Sequence, residues 1–233
     1  MLSIEHFSKT YPGGKRAVDD LNLVVHAGEI CGFIGHNGAG KTTTLRAVAG
    51  VMSYTEGTIR VDGKDLHTDP VGAKKVMAYL PDNPDLYDYM KGIDYLNFIA
   101  DLYDIPGDDR TRRIARYGDD FQLTEALGSP IGSYSHGMKQ KLALISALIR
   151  KPKIIIFDEA TSALDSVSEK KVQEATNEMM KNCTTFLVAH RLSTIQNADR
   201  IVVMKEGHIV EMGSYEELME KKGYFYELKS LQS

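Results

Sequence analysis

Cysteine is scarce in this chain of 233 residues: only Cys31 and Cys183 occur, each in or beside an apolar, strand-like run. Two thiols so placed read as buried and free in a reducing compartment rather than as a disulfide scaffold. Long apolar runs are lacking as well. The most apolar stretch, residues 142–149, is interrupted by Ser146 and falls far short of the roughly 20 residues that cross a bilayer. The chain opens on Met1-Leu2-Ser3-Ile4, which reads into a strand and not as a charged-then-apolar leader. An excess of charge is missing too, with 28 Lys and Arg against 32 Asp and Glu and a net charge of −4. That balance gives no electrostatic reason for a nucleic-acid partner. These absences lead to the expectation of a soluble cytosolic protein.

What is present is ordinary globular composition, 42% apolar and 26% charged, on a chain long enough to bury a core. Strand patterns fall at 2–7, 21–25, 30–34 and 58–61, and a helical stretch at 41–48 follows three glycines. From Tyr79 to Gly128 the character turns helical, with periodicity at 93–103 and 110–118 and punctuation by Pro81, Pro84, Pro106 and Gly107. Beyond Pro152, strands and helices alternate at 154–157, 168–181, 185–188 and 201–204, the pattern of a parallel sheet covered by helices. Two short helices split at Gly223 close the chain. We expect one α/β domain, its core formed by 1–79 and 151–233, with a helical subdomain inserted at 80–150.

Chemistry enters at Gly35-His36-Asn37-Gly38-Ala39-Gly40-Lys41-Thr42, a full G-x-x-x-x-G-K-[ST] between an apolar strand and a helix. Glycines let consecutive backbone N–H groups turn onto phosphate oxygens, and the helix start adds its positive dipole end. Lys41 would reach the β- and γ-phosphates of a nucleoside triphosphate and the Thr42 hydroxyl would ligate Mg²⁺. Residues 154–159, Ile-Ile-Ile-Phe-Asp-Glu, form a second signature. A buried strand would deliver Asp158 beside the first loop to hold Mg²⁺, and Glu159 would polarise the attacking water. The fold class expected is therefore a P-loop NTPase, α/β with a mainly parallel sheet and an N-terminal antiparallel β region.

Between these motifs lies Tyr134-Ser135-His136-Gly137-Met138-Lys139-Gln140 ahead of the apolar helix. With the two phosphate-site motifs, this resembles the nucleotide-binding subunit of ATP-binding-cassette (ABC) transporters. Of the family signature Leu-Ser-Gly-Gly-Gln only Ser135 and Gly137 stand. The resemblance implies that these two residues cap the γ-phosphate of an ATP held by a second ABC ATPase, in a homodimer or pseudo-dimer. It implies that Tyr11 stacks on adenine, that Asn37, Gly38, Ala39, Gly40 and Thr43 help Lys41 and Thr42 cradle the phosphates, and that Asp165 lies near the subunit crossing. His190, in Val-Ala-His-Arg-Leu-Ser, matches the histidine that contacts the γ-phosphate and orients Glu159. Asp82 stands where the family usually has a Gln touching Mg²⁺, and its added charge would slow turnover.

Two branches of the family are mixed in the chain. Residues 80–84 and 134–140 resemble ATPase subunits made apart from their membrane partners. Residues 158–166 and 189–195 resemble ATPases fused behind transmembrane helices. A mosaic joined near 151–153 accounts for both. The resemblance implies an ATP-hydrolysing motor at the cytoplasmic face of a membrane, working with a separate multi-span permease that would dock near Leu86, Tyr87, Tyr89, Met90, Tyr95 and Phe98. Alternatives are a module that binds ATP with little turnover, and a non-transport ATP switch. If the mosaic is real, Ala160→Pro with Ala163→Gly leaves the melting temperature unchanged or raised in scanning calorimetry. A clear fall argues against it.

Overall fold

The computed structural model describes residues 1–158, 180, 183–188 and 195–230. The expected helix at 168–181 and the chain's last residues lie outside them, apart from Met180. Period-two alternation builds the first sheet: along β2 (Arg16–Val25), Leu21, Leu23 and Val25 are buried while Asn22 and Val24 face out. Strand β1 (Leu2–Thr10) pairs antiparallel with β2 on one side and with β4 (Glu56–Val61) on the other. The short β5 (Lys64–Asp65) completes the order β2-β1-β4-β5.

The second sheet has six strands in the order β10-β9-β3-β8-β7-β6. Strands β3 (Ile30–Ile34), β6 (Met77–Pro81), β7 (Ile154–Asp158), β8 (Thr184–Val188) and β9 (Arg200–Lys205) run parallel, and β10 (His208–Gly213) returns antiparallel at one edge. Both faces are covered, which is why β7 reads as an unbroken apolar run and not as an alternation. Ile154 and Ile156 of β7, Phe186 and Val188 of β8 and Met204 of β9 face the first sheet and α1 (Lys41–Val48). Ile155, Phe157, Leu187, Ile201 and Val203 face the opposite way, toward α3 (Gly92–Leu102), α4 (Gly107–Asp120) and α5 (His136–Leu148). The remaining α-helices among the described residues are α2 (Pro70–Val76), capped by Asp69, and the C-terminal pair α6 (Tyr215–Lys221) and α7 (Tyr224–Ser230).

The α/β class with a mainly parallel sheet and an N-terminal antiparallel sheet is as expected, and α1 has the expected bounds. Strands β6 and β10 and helix α2 were not read from the pattern. Arg150 joins the helices to the sheet. Its guanidinium donates to the carbonyls of Met77 (2.6 Å) and Lys74 (3.2 Å) and lies 3.7 Å from the centre of the Tyr103 ring. Arg113 of α4 likewise caps the Ile149 carbonyl at the end of α5, at 2.6 Å. Among the described residues, no helix is long and apolar enough to cross a membrane.

Both cysteines are free and buried. Burial pushes the Cys31 thiol up to about 12 and raises Cys183 as well. Because the thiolate is the nucleophile, neither should react with iodoacetamide near neutral pH in the folded protein. Both should be labelled after guanidinium unfolding, as mass spectrometry would read; rapid labelling of Cys31 in the native state would refute its burial.

Candidate nucleotide site

The loop after β3 is wedged between the two sheets. A Cβ on Gly35 would lie 2.3 Å from the Met204 carbonyl oxygen of β9, and one on Gly40 would lie 2.6 Å from the Ala17 carbonyl oxygen of β2. Gly40 also holds φ at 103° as the N-cap of α1, a conformation costly to any residue with a side chain. Closure is completed by Gly207 N–H donating to the Ala39 carbonyl at 3.1 Å and by Ala39 N–H donating to the His36 carbonyl at 3.1 Å. Ala39 is therefore buried behind the loop, with its N–H used inside it.

Lys41 is buried at the start of α1, and its ammonium donates to the carbonyls of Gly35 (2.6 Å) and His36 (3.1 Å). A helix leaves its first N–H groups without acceptors of its own, and the first turn of α1 holds Thr42 and Thr43. These two residues, with Asn37, Gly38, Gly40 and Lys41, line a cleft of about 320 Å³ whose far side carries Tyr11, Lys15 and Ala17. The Tyr11 hydroxyl sits 3.2 Å from Thr43 Oγ1 and donates to Met52 Sδ at 3.4 Å. The structure thus brings Tyr11, from the β1–β2 turn, to the phosphate-type loop.

Asp158 ends β7 and is buried; its Oδ2 accepts from the Tyr79 hydroxyl at 2.9 Å. Burial first, and then the Asp158 charge, push the Tyr79 phenol up to about 12, so it stays a donor at neutral pH. Pro81 of β6 is in register with Asp158, which sets Asp82 at the same end of the sheet. The Asp82 carbonyl accepts from Gln140 Nε2 at 2.8 Å, and that amide also meets His136 Nε2 at 3.0 Å. Ser135 caps α5, its hydroxyl accepting from Met138 N–H at 3.3 Å. Ser135 and Gly137 do not line the cleft around Lys41. Glu159, Asp165 and His190 lie outside the described residues.

Three residues at the site were not anticipated. Lys15 follows Tyr11-Pro12-Gly13-Gly14, and a cation beside a turn was the available signal. Tyr79 and Gln140 gain their positions only from pairing across the fold. Among the described residues no three His, Cys, Asp or Glu side chains gather to hold a metal. The oxygen donors Thr42 and Asp158 do fit Mg²⁺, which keeps waters and takes most of its other ligands from phosphate oxygens. The glycine cradle, too tight for a Cβ at Gly35 and Gly40, fits a polyphosphate in the same way.

A family model described as ABC transporter matches residues 18–162, more than half of the chain. The chain belongs to the ABC transporter family. It is the ATP-binding domain of that family, an ATP hydrolase. A solved structure titled as the ATP binding subunit of an ABC transporter is 28% identical, with a TM-score of 0.90 over 99% of this chain and 98% of that one. A bacterial Atm1-family ABC exporter with ATP bound is 25% identical, with a TM-score of 0.87 over 100% of this chain and 41% of that one. The ATP-dependent lipid A-core flippase of Pseudomonas fluorescens is 35% identical over 99% of this chain and 40% of its own length. The chain spans less than half the length of the curated relatives it matches.

Gly40→Ala forces a Cβ against the Ala17 carbonyl at a positive φ. The expected result is a loss of about 1–3 kcal/mol in urea unfolding and loss of binding of a fluorescent ATP analogue. Gly38→Ala, where a Cβ meets nothing within 4 Å, should be the milder variant in both assays.

Proposed function

We propose that ATP hydrolysis by this domain drives an exporter-type membrane transporter, with two ATPases sandwiched around two nucleotides. The carrying observation is one cleft that joins the Lys41 loop to Tyr11. In this reading Tyr11 packs on adenine, and Lys41 gives up the Gly35 and His36 carbonyls for the β- and γ-phosphates. The N–H groups of Asn37, Gly38, Gly40, Lys41, Thr42 and Thr43 wrap those phosphates, while Ala39 stays behind the loop. Thr42 and Asp158, with Asp82 nearby, hold Mg²⁺, whose charge would offset that of the phosphates. Glu159 takes the proton of the attacking water, His190 orients it, and Asp165 lies at the crossing between subunits.

Ser135 and Gly137 belong to the opposite site in this reading, because they open α5 outside the chain's own cleft. Each then caps the γ-phosphate held by the other ATPase, so ATP acts as the adhesive and its hydrolysis as the release. A multi-span permease carries the substrate pathway, and the domain sits at the cytoplasmic face of the membrane. The exporter titled with ATP bound and the lipid A-core flippase support this direction of use. Exposed Tyr87, Tyr89 and Phe98 offer the permease an aromatic surface. Asp82 favours a second reading, slow turnover with ATP held, since its carboxylate adds negative charge beside the phosphates.

Specific Mg²⁺-ATPase activity of the purified chain should climb with protein concentration, as sites shared between two chains demand. Glu159→Gln should cut turnover by about 100-fold or more while ATP binding persists and the chain elutes as a dimer with ATP on size exclusion. Activity that is flat with concentration, with no ATP-dependent dimer in the Glu159→Gln variant, would refute the sandwich.

A further inference from the structure

The contact between Tyr79 and Asp158 extends further than one hydrogen bond. An ionised carboxylate can only accept, so the phenol donates its single proton to Asp158 Oδ2, 2.9 Å away. Arg46 of α1 lies near enough for its charge to act on the same phenol.

The elements that meet at this phenol are not arbitrary. Arg46 lies four residues after Thr42 on α1, and residues at that spacing share a helix face. Asp158 is the last residue of β7, and Tyr79 lies on the neighbouring parallel strand two residues behind its register partner, Pro81. The phenol thus grips the strand that carries Asp158 beside the helix that carries Thr42. Those are the two protein oxygens assigned above to Mg²⁺, and they come from elements otherwise separated by half the chain. A carboxylate on its own turns broadly about its last torsion. A hydrogen bond to one oxygen fixes the plane of the carboxylate, as partners of metal ligands generally do.

We propose that Tyr79 is a positioning residue for metal coordination, holding the Asp158 carboxylate by Oδ2 in the orientation in which it meets Mg²⁺, with the Arg46 charge beside the phenol. This rests on the ATPase reading of the site and adds to it a determinant of metal affinity. Tyr79 does not touch nucleotide in this account. Its removal acts on the metal through Asp158.

The test uses Tyr79→Phe, which deletes one oxygen and keeps the ring. Binding of a fluorescent ATP analogue in EDTA should match the parent chain. Binding of Mn²⁺ to the ATP-loaded protein, read by electron paramagnetic resonance, should weaken about three- to tenfold, the size of one hydrogen bond. The Mg²⁺ concentration giving half-maximal turnover should rise by the same factor. Arg46→Met, a change at an exposed position, should shift both metal readings in the same direction by less, and it carries the test if Tyr79→Phe melts early. Unchanged Mn²⁺ affinity and Mg²⁺ dependence in a folded Tyr79→Phe protein would overturn the positioning role and leave the ATPase reading standing. A parent chain that binds no ATP analogue in EDTA would overturn the ATPase reading, and the positioning role with it.

Discussion

The constraint on which the rest depends is steric. The loop between β3 and α1 passes so near the backbone of both sheets that Gly35 and Gly40 have no room for a Cβ. Everything at the cleft follows from that proximity. It sets the start of α1 against the sheet, directs Lys41 back over the loop, and leaves Tyr11 and Lys15 of the β1–β2 turn lining the same cleft. A wider loop would leave the same residue types without a common focus. The parallel order of β3, β8, β7 and β6 then collects strand ends on one side, where α/β sheets place their ligands.

Local chemistry and long-range pairing divided what could be read beforehand. The glycine-rich loop, α1 and the apolar β7 were legible because each carries its signal within a few adjacent residues. Strand β6 was not: its five residues include Ala78 and end in Pro81, and what makes them a strand is register with β7 far along the chain. Strand β10 was hidden for a different reason: its exposure alternates, but Val210 and Met212 fall on the exposed face and Glu211 on the half-buried one, so the sequence shows no apolar alternation. At the site, Asp158 was anticipated from its place after an isoleucine run, whereas the tyrosine that grips it was not. Hydrogen bonds between residues so far apart have no local sequence signature.

The helices on the far face of the sheet are joined to it by polar contacts to backbone as well as by their apolar core. Arg150 takes two carbonyls at the α2–β6 junction while stacking on Tyr103, and Gln140 takes the carbonyl of Asp82. Backbone carbonyls are acceptors that a side-chain substitution cannot remove. These attachments therefore tolerate sequence change at α2 and β6 but concentrate the dependence in two donors, Arg150 and Gln140.

The way Lys41 is held bears on how the site lets go of what it binds. Its ammonium rests on two carbonyls of its own loop, at 2.6 and 3.1 Å. A buried cation stripped of partners would be costly to uncover. Here phosphate capture becomes an exchange, two neutral acceptors given up for charged ones, and departure of the anion lets the lysine fall back onto the loop. In the proposed transport cycle that retreat would make product release less costly, and a cyclic motor depends on discharging its product as much as on gripping its fuel.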